Sequence, residues 1–355
     1  MVPTSTRRVR GWQRMGAMQT QELTRERYEQ LLSELAPNPP IEQTVAWQDY
    51  EATADGRSLW GYVGVFEDDE AIAVGAFQQY ETHGYRYLRG RHALVWRDEP
   101  SAEREAAALG SLADYVRSRD KGIVFARLAV SHDLEETRPC LSTVPYDTTV
   151  IVDLTGGDDE ILARMKPRGR RDVRKALRES PVTCADETER AVASFDEYYA
   201  VMVETAARDG FAPAPAESYR SMLELLGPSR CRLFAARDAE GKVVSWAIST
   251  ISGKHAVYYY AASSASSREL LATDRLFYFE CCELARLGCT QYDLMGIGSD
   301  FSPSLLGLNT FKTKFAKDGE RPVAPDRDLP IKRAFYRMLV GVRGVRDRLR
   351  GSSEE

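Results

Sequence analysis

The chain has 355 residues and a formal net charge of −5, with 43% hydrophobic and 28% charged residues. This composition is ordinary for a globular protein and excludes a disordered chain, a collagen-like repeat and a coiled coil, while the acidic balance excludes a globally basic nucleic-acid binder. At roughly 150 residues per domain, the length predicts two domains, each large enough to bury a core.

The N-terminal residues include several arginines, but no apolar run follows them, so they do not predict a secretory signal. We interpret 1–17 as a disordered extension, with Met15 or Met18 as a candidate start, and 351–355 as a tail. No run approaches the roughly 18 apolar residues of a membrane-spanning helix. Six cysteines without a CxxC pair indicate free thiols, and four scattered histidines indicate no metal site. These features favour a cytoplasmic protein, with the inner face of the membrane as an alternative location.

Two segments of the chain have the same order of predicted elements. The first has a helical stretch at 22–35, strands at 59–66, 71–80 and 85–90, a helix at 104–118 and a strand at 123–130. The second has helices at 189–207 and 217–226, strands at 232–236, 243–251 and 255–263, a helix at 274–287 and a strand at 290–297. Gly122 and Gly288 follow the corresponding helices. The sequence therefore predicts an internal duplication with an α+β (mixed α/β) fold.

A meander of strands followed by a helix is the layout of acyl-CoA-dependent N-acetyltransferases, which bind pyrophosphate at a glycine-rich turn before a helix. The corresponding turns here, 96–105 and 262–274, contain no glycine, so their backbone amides would not approach a pyrophosphate closely. The chain contains neither GxxxxGK[ST] nor GxGxxG. We therefore expect no CoA, no ATP site and no other cofactor.

Residues 164–178, RMKPRGRRDVRKALR, hold eight basic residues and one acid, Asp172. Arg171, Arg174, Lys175 and Arg178 have the i, i+3, i+4, i+7 spacing of one helical face. Such a stripe suits a polyanion: RNA, a diphosphate or an anionic lipid. The alternative is a solvated face that neighbouring acids neutralise. The density of the run and its lack of partners favour a polyanion.

A second basic run, 332–350, has helically spaced apolar residues and is predicted to form a basic amphipathic helix interrupted at Gly341 and Gly344. It suits a peripheral contact with RNA or a membrane surface, and the alternative is a helix that docks its apolar side on the core. Both descriptions can hold for one helix, because docking leaves a basic outer face.

Three shorter patterns supply candidate site residues. Segment 305–317 is interpreted as a strand with Lys312 and Lys314 on one face and Phe311 on the other. Such a strand either places a lysine in a cleft beside an apolar wall or is an edge strand whose lysines prevent further pairing. Strict alternation would put Tyr258 and Tyr260 on one face, either lining a cleft or packed in the core. Thr205 and Arg208 lie one turn apart at a predicted helix end.

Taken together, these segments resemble the FemABX family, the tRNA-dependent aminoacyltransferases of bacterial cell-wall bridge synthesis. The matching elements run in order from about Gln43 to Phe315. They are EQTVAW, YLRG, TTVIVDL, the run EILARMKPRGRRDVRKALRES, ETAARDGF, YYYAASS, YDLMGI and GLNTFKTKF. The central basic run and the GLxxFKxxF end are the specific parts of the resemblance.

The resemblance implies two tandem GNAT-like domains, 18–150 and 151–315, with the C-terminal segment 316–350 completing the first. It implies transfer of an amino acid from aminoacyl-tRNA to an amine of a muramyl-pentapeptide precursor, UDP-linked or lipid-linked. Segment 181–229 leaves no room for a long coiled-coil arm, as in the armless members.

The resemblance also assigns roles to the candidate residues. Lys312 would be catalytic, with Phe311 positioning the terminal adenosine. Thr205, Arg208, Tyr258 and Tyr260 would bind the acceptor. Contacts with tRNA are assigned to the basic run and the neighbouring lysine, namely Lys166, Arg168, Arg170, Arg171, Arg174, Lys175, Arg178 and Lys314.

Two departures from the family pattern concern the acceptor. Trp47 is followed by Gln48 and Asp49 where armless members often have a basic residue, and Arg89-Gly90-Arg91 stands where RGP is common. We assign Arg89 and Arg91 to the acceptor site, with Arg91 supplying the missing charge. The alternatives are a tRNA-dependent ligase for a secondary metabolite or a lipid head group, a CoA-dependent acyltransferase, and a non-catalytic RNA- or membrane-binding protein.

Overall fold

The computed structural model describes residues 16–140 and 145–351, with side chains as far as Val342. Residues 1–15 of the expected N-terminal extension and residues 352–355 of the expected tail lie outside this part. Gly16 and Ala17 already contact the rest of the chain, because their amides donate hydrogen bonds to the carboxylates of Glu67 and Asp68.

The described chain forms two sets of elements in sequence. The first set comprises β1 (Met18–Leu23), α1 (Arg25–Leu35), α2 (Val45–Glu51), β2 (Arg57–Glu67), β3 (Glu70–Thr82), β4 (Tyr85–Gly90), β5 (Val95–Trp96), α3 (Ala102–Arg119), β6 (Ile123–Ala129) and β7 (Arg138–Pro139). The second comprises β8 (Thr148–Asp153), α4 (Asp158–Arg164), α5 (Pro167–Glu179), β9 (Thr183–Asp186), α6 (Thr188–Ala193), α7 (Asp196–Asp209), α8 (Ala216–Leu226), β10 (Cys231–Arg237), β11 (Val243–Ser252), β12 (His255–Ser263), α9 (Ala272–Arg286) and β13 (Gln291–Gly296). The C-terminal elements are α10 (Leu306–Lys312), β14 (Glu320–Pro322), β15 (Asp326–Pro330) and α11 (Arg333–Gly351).

Two mixed sheets confirm the predicted α+β duplication. The first has the order β1-β2-β3-β4-β6-β15-β7, with β5 beside β3, and the second has the order β14-β8-β13-β12-β11-β10-β9. In each, a three-stranded meander is followed by a helix that leads to a parallel strand: α3 connects β4 to β6, and α9 connects β12 to β13. Helix crossovers of this kind are what parallel neighbours in one sheet require.

The crossover helices form because their apolar residues recur every three to four positions and pack on a sheet. Leu109, Leu112 and Val116 of α3 are buried in the first core. Phe277 and Leu284 of α9 are buried in the corresponding core of the second sheet. Both sheets are therefore built by the same local pattern.

The C-terminal segment contributes to both sheets. Strand β15 pairs antiparallel with β6, and a fully buried ion pair between Arg127 and Asp328, with Nε–Oδ1 at 2.7 Å, joins the two strands. Strand β14 instead pairs with β8 of the second sheet. The second sheet begins at Thr148, three residues before the expected boundary, and Glu320–Pro322 lies in it although 316–350 was assigned to the first domain.

Two predicted elements near the C-terminus are wrong. Segment 305–317 is not a strand but α10 followed by a 3-10 turn, Thr313–Phe315. The reason is that the ring centroids of Phe311 and Phe315 lie 5.1 Å apart and both rings pack on Phe277, whereas four residues of a strand would span about 13 Å. Helix α11 also continues through Gly341 and Gly344, since glycine weakens a helix without removing a backbone hydrogen bond. No helix of the described residues is long and apolar enough to cross a membrane.

Candidate active site

The parallel strands of the second sheet diverge and open a wedge. Strand β12 pairs with β13 only from His255 to Val257, although it continues to Ser263. In the first sheet, by contrast, β4 pairs with β6 as far as its last residue, Gly90. Separated strands no longer pair their backbone amides and carbonyls with each other, so these groups become available to other partners. The wedge of the second sheet is therefore the first candidate for a substrate site.

A β-bulge lies at the C-terminal end of β13, beside this wedge. Asp293 pairs with Ile151 but Gly296 pairs with Thr149, so β13 holds one extra residue, and Met295 has a positive φ of 62°. The Asp293 carboxylate accepts hydrogen bonds from the Thr149 hydroxyl and from the Met295 amide, the latter at 2.7 Å. Burial raises the pKa of Asp293 despite these bonds. Bulges are common next to active sites, where they redirect a strand.

Lys312 reaches the end of β13 from α10. Its Nζ donates a 2.7 Å hydrogen bond to the Gly296 carbonyl, and the residue is only 9% exposed. Burial lowers the pKa of Lys312 to about 8, while the Asp293 charge acts in the opposite direction. At neutral pH most Lys312 side chains are therefore protonated, and a nearly buried cation lies beside the wedge.

Asn309 fixes the segment that carries Lys312. Its side-chain amide donates to the Gly298 carbonyl at 2.9 Å and accepts from the Gly298 amide at 2.7 Å. A Cβ on Gly298 would overlap the backbone of Leu306, so glycine is required for this approach. The sequence interpretation missed Asn309 because it took the segment as a strand.

A pocket of about 900 Å³ lies beside the wedge, and we call it the basic pocket. It is lined by Arg168, Asp172 and Lys175 of α5, Arg208 of α7, Phe311 and Lys314, and residues between Ser263 and Asp274. Lys314 Nζ lies 2.6 Å from Asp274 Oδ1 and 3.5 Å from Asp172 Oδ2, and it also contacts the rings of Phe311 and Phe315. Five predicted residues thus meet in one pocket: Arg168, Lys175, Arg208, Phe311 and Lys314.

Helix α5 presents an exposed basic surface next to this pocket. Its buried residues are Gly169, Val173 and Ala176, and its sequence holds six basic residues against two acids. Asp172 lies within 4 Å of both Arg168 and Arg171, and Glu179 within 4 Å of both Lys175 and Arg178, while Arg174 has no such partner among the described residues. Neutralisation by neighbouring acids is therefore incomplete.

Two other residues of the predicted tRNA set are occupied by the protein itself. Arg170 donates hydrogen bonds to the carbonyls of Ala163 and Met165 at the C-terminal end of α4. Lys166 Nζ lies 3.5 Å from Glu320 Oε1. Arg168, Arg171, Arg174, Lys175 and Arg178 remain exposed on α5.

Thr205 and Arg208 hold the end of β12. The Thr205 hydroxyl donates to the Val201 carbonyl and accepts the Ser263 amide at 2.9 Å, so its bonding capacity is used within the protein. Arg208 Nη1 donates to the Ser263 carbonyl at 2.8 Å, and the side chain stays exposed at the basic pocket. Arg208 is thus placed to meet a ligand, whereas Thr205 positions the strand that lines the pocket.

The prediction that Tyr258 and Tyr260 share a face is wrong. A bulge in β12 makes Ile248 pair with Tyr260 and the next residue, Ser249, pair with Tyr258. The extra residue reverses the alternation, because each position changes side along a strand. Tyr258 packs against Phe277 and Tyr292, on the core of α9, whereas Tyr260 packs against Tyr219 of α8.

A cluster of aromatic and charged residues links the domain of the first sheet with the domain of the second. Tyr259, the bulge residue, packs on Trp47 of α2 with ring centroids 5.1 Å apart. Trp47 donates its Nε1 hydrogen to the buried Glu51 carboxylate at 2.7 Å, and Arg57 also donates to Glu51 at 2.7 Å. Arg91 Nε lies 3.6 Å from Glu51. Glu51 was not predicted, although its position four residues after Trp47 places both on one helical face.

Arg89 and Arg91 have spare donor capacity in this cluster. Arg89 lies 3.6 Å from Asp326, and the Nε atoms of both arginines are buried without a hydrogen-bond partner among the described residues. Tyr146 connects the cluster with the wedge, since its ring fills the space where Gly296 lacks a Cβ and the charges of Asp293 and Arg91 both act on it. In the described part of the chain, no group of histidine, cysteine and acidic side chains could hold a metal ion.

Comparison with known proteins identifies the fold. A family model described as "Acetyltransferase (GNAT) domain" matches residues 164–312, and no curated protein matches the chain in sequence. Among solved structures, the chain is similar to FemX, with a TM-score of 0.71 and 16% identity over 90% of this chain and 99% of that chain.

Two further solved structures are similar over most of their length. They are a tandem GNAT protein from the clavulanic acid biosynthesis pathway (TM-score 0.54, 13% identity, 89% of this chain and 99% of that chain) and the C-terminal domain of a putative lysylphosphatidylglycerol synthetase from Agrobacterium fabrum (TM-score 0.52, 16% identity, 90% and 97%). The two sheets and these likenesses confirm the predicted tandem GNAT-like architecture. The chain therefore has the tandem fold of GNAT acyltransferases.

Proposed function

We propose that the protein is an aminoacyltransferase that moves an amino acid from aminoacyl-tRNA to an amine of a peptidoglycan precursor stem peptide. The observation that carries the proposal is that one short segment links three features of the second sheet: Phe311 and Lys314 line the basic pocket beside α5, whereas Lys312, between them, contacts the end of β13 and is not part of the pocket lining. The exposed basic helix α5 adjoins the basic pocket, and the buried cation of Lys312 lies at the end of the diverging strand β13. A long polyanion with a reactive end needs a basic surface that binds its phosphates and a positive charge near its reacting terminus.

The loop between β12 and α9 favours this donor over a CoA thioester. Several of its amides are already bonded within the protein: Ser264 to Val244, Ser267 to Ser264 and Leu271 to Arg268. The Ala265 amide donates to the Glu204 carboxylate at 2.6 Å, which puts a negative charge where a pyrophosphate would approach. Amides in this state are poor ligands for a diphosphate, because each new bond would require breaking an existing one.

The reaction needs no ATP, because the ester of aminoacyl-tRNA is already activated. The acceptor amine attacks the ester carbonyl carbon, a C–N bond forms, the bond to the ribose oxygen breaks, and that oxygen takes a proton while the amine loses one. Protonated Lys312 stabilises the negative charge that develops on oxygen, and Phe311 supplies an apolar wall for the terminal adenosine. Lys314 and Arg208 neutralise terminal phosphates in the basic pocket.

The acceptor fits the polar cluster that links the two domains. Arg89 and Arg91, which form ion pairs of 3.6 Å with Asp326 and Glu51, would also donate to a diphosphate or a carboxylate, which are groups that muramyl-peptide precursors contain. Tyr146 lies between this cluster and the strand end at Gly296, so an acceptor bound there would extend toward Lys312. The TM-score to FemX, 0.71, is higher than the TM-score to the putative lysylphosphatidylglycerol synthetase, 0.52, which supports a peptidoglycan precursor as the acceptor.

A second candidate acceptor is the head group of a lipid. The likeness to the putative lysylphosphatidylglycerol synthetase from Agrobacterium fabrum favours it, and the same donor site would serve. An assay that offers both acceptors separates the two candidates.

The test is an aminoacyl-transfer assay with total tRNA charged with labelled amino acids. UDP-linked pentapeptide, lipid-linked pentapeptide and phosphatidylglycerol are offered separately, with RNase-treated tRNA and acetyl-CoA as parallel donors. We expect RNase-sensitive label on a pentapeptide precursor. Label on phosphatidylglycerol would select the second candidate, and transfer from acetyl-CoA alone would refute the tRNA donor.

Two sets of variants connect the reaction to the proposed residues. Lys312→Ala should lower the transfer rate about a hundredfold, the effect of losing one charge-stabilising donor, whereas the exposed Lys317→Ala should not. Neutralising Arg171, Arg174 and Arg178 should weaken tRNA binding and reduce the slope of log affinity against log salt by roughly 2 to 3. The matched control neutralises the exposed Lys121, Arg230 and Lys242. Unchanged transfer by Lys312→Ala would contradict its assigned role.

A further inference from the structure

Helix α11 docks on the first sheet through one side only. Tyr336 is buried, stacks edge-on against Phe125 and donates its hydroxyl hydrogen to Asp328 at 3.0 Å. Leu339 packs against the same small core, which also holds Val124. Phe335 also contacts this side, since its ring centroid lies 6.4 Å from that of Tyr85, so Phe335, Tyr336 and Leu339 are the apolar contacts seen in the docking of α11.

A different stripe of α11 is apolar and uncovered. Met338 and Val342, one helical turn apart, are 52% and 62% exposed. The sequence continues the same spacing with Val345 and Leu349. At 3.6 residues per turn, this stripe runs along a side of the helix that faces away from Tyr336. Exposed apolar side chains that share one side of a helix are typical of a contact surface.

The charges on α11 identify the chemistry of the partner that this surface would bind. Between 332 and 350 the sequence has seven basic residues and a single acid, Asp347. A second copy of the helix would bring like charges together along the stripe, which disfavours self-association. RNA would use the arginines but leave the apolar stripe in water. An anionic lipid surface takes both, since apolar side chains enter the acyl region while flanking arginines meet the head groups.

We propose that α11 is an interfacial helix that binds the protein to anionic membranes, with Met338 and Val342 inserted and Arg337 at the head groups. This contact does not depend on the aminoacyl transfer proposed above. Where the acceptor is lipid-linked, the same contact would place the enzyme at the surface that holds it.

The test is flotation of the full-length protein with vesicles of phosphatidylcholine alone and of phosphatidylcholine mixed with phosphatidylglycerol. We expect binding to the anionic vesicles, weaker binding at high salt, and little binding to the neutral ones. The double variant Met338→Glu, Val342→Glu should lose about tenfold or more of the binding. Val203→Glu with Leu225→Glu is the matched control, because both residues are apolar and similarly exposed on α7 and α8.

Each other outcome would overturn the proposal. Equal binding to neutral vesicles, or full binding by the α11 variant, would show that the stripe and its arginines do not bind the membrane. A dimer that the α11 variant dissociates, without vesicle binding, would assign the stripe to a second copy. Loss of tRNA affinity in place of vesicle binding would assign α11 to RNA. Thermal unfolding of each variant confirms that the fold is retained.

Discussion

Replacing Gly169 by alanine tests how closely the basic helix α5 is attached to the segment that carries Lys314. The Lys166 amide donates to the Lys314 carbonyl at 3.0 Å, one turn before Gly169. A Cβ on Gly169 would lie 2.9 Å from the carbonyl carbon of Lys314 and closer still to its oxygen. Both atoms belong to backbone, so the added methyl group cannot be accommodated by a side-chain rotation.

Two opposing effects determine the result. Alanine favours a helix interior over glycine by about 1 kcal/mol, whereas overpacking a close contact costs about 1–3 kcal/mol and would here push α5 away from Lys314. We therefore expect Gly169→Ala to lower the free energy of unfolding by up to about 2 kcal/mol. Gly110 in α3 is the control, because a Cβ there meets nothing within 4 Å. Gly110→Ala should therefore raise stability by about 0.5–1 kcal/mol.

The assay is urea unfolding of both variants and of the unmodified protein under the same conditions. Binding of charged tRNA provides a second measurement, since a displaced α5 moves Arg168 and Lys175 away from the basic pocket. A Gly169→Ala variant as stable as Gly110→Ala would refute the close backbone contact between α5 and Lys314. Reduced stability with unchanged tRNA binding would show that the pocket does not depend on this contact.

Two further predictions concern buried charges. Burial raises the pKa of Glu280 from 4.5 to about 8. Between these pH values the folded state keeps a proton that the unfolded state releases. The free energy of unfolding should therefore fall by up to about 5 kcal/mol as the pH rises through this range. Glu280→Gln keeps an acceptor for the Tyr292 hydroxyl and should remove most of that loss when thermal unfolding is compared at pH 5 and pH 8; an equal loss in the variant would contradict the assignment. Asp328→Ala should cost about 3–5 kcal/mol because it leaves Arg127 charged and buried, while Asp114→Ala, which breaks an exposed pair with Arg117, should cost less than about 1 kcal/mol. Urea unfolding measures both, and a small effect of Asp328→Ala would show that β15 contributes little to the first sheet.

The local elements were predictable because each is specified by residues close in the chain. The largely apolar runs at 71–80 and 243–251, each bounded by turn residues, and the period near 3.6 in 104–118 and 274–287 give strands and helices at the observed places. The offset of about 170 residues between the two sets then predicts a duplication without any knowledge of packing. The basic run of α5 was found for the same reason, since its charge density is a property of the sequence alone.

The errors in the candidate site arise where tertiary contacts override a local pattern. Alternation fails at Tyr259, because a bulge lets its ring reach Trp47 of the first domain. The segment around Lys312 was taken for a strand, and packing on Phe277 makes it a helix. Thr205 was assigned to a ligand, but its hydroxyl is used by the end of β12. The roles of Lys312, Arg208 and the arginines of α5 stay predictions.

The sequence by itself determined the fold class, the duplication and the presence of an exposed cationic helix, because periodicity and charge density act over a few turns of chain. Only the tertiary structure decided that the sheet opens in the second copy and stays paired in the first, and that Lys312 meets the Gly296 carbonyl. The return of the C-terminal segment to the first domain was expected from the family resemblance, but only the structure shows that its strand β15 pairs with β6, about 200 residues earlier in the chain. The physical reason is that these features depend on contacts between distant segments, whose free energies no local pattern records.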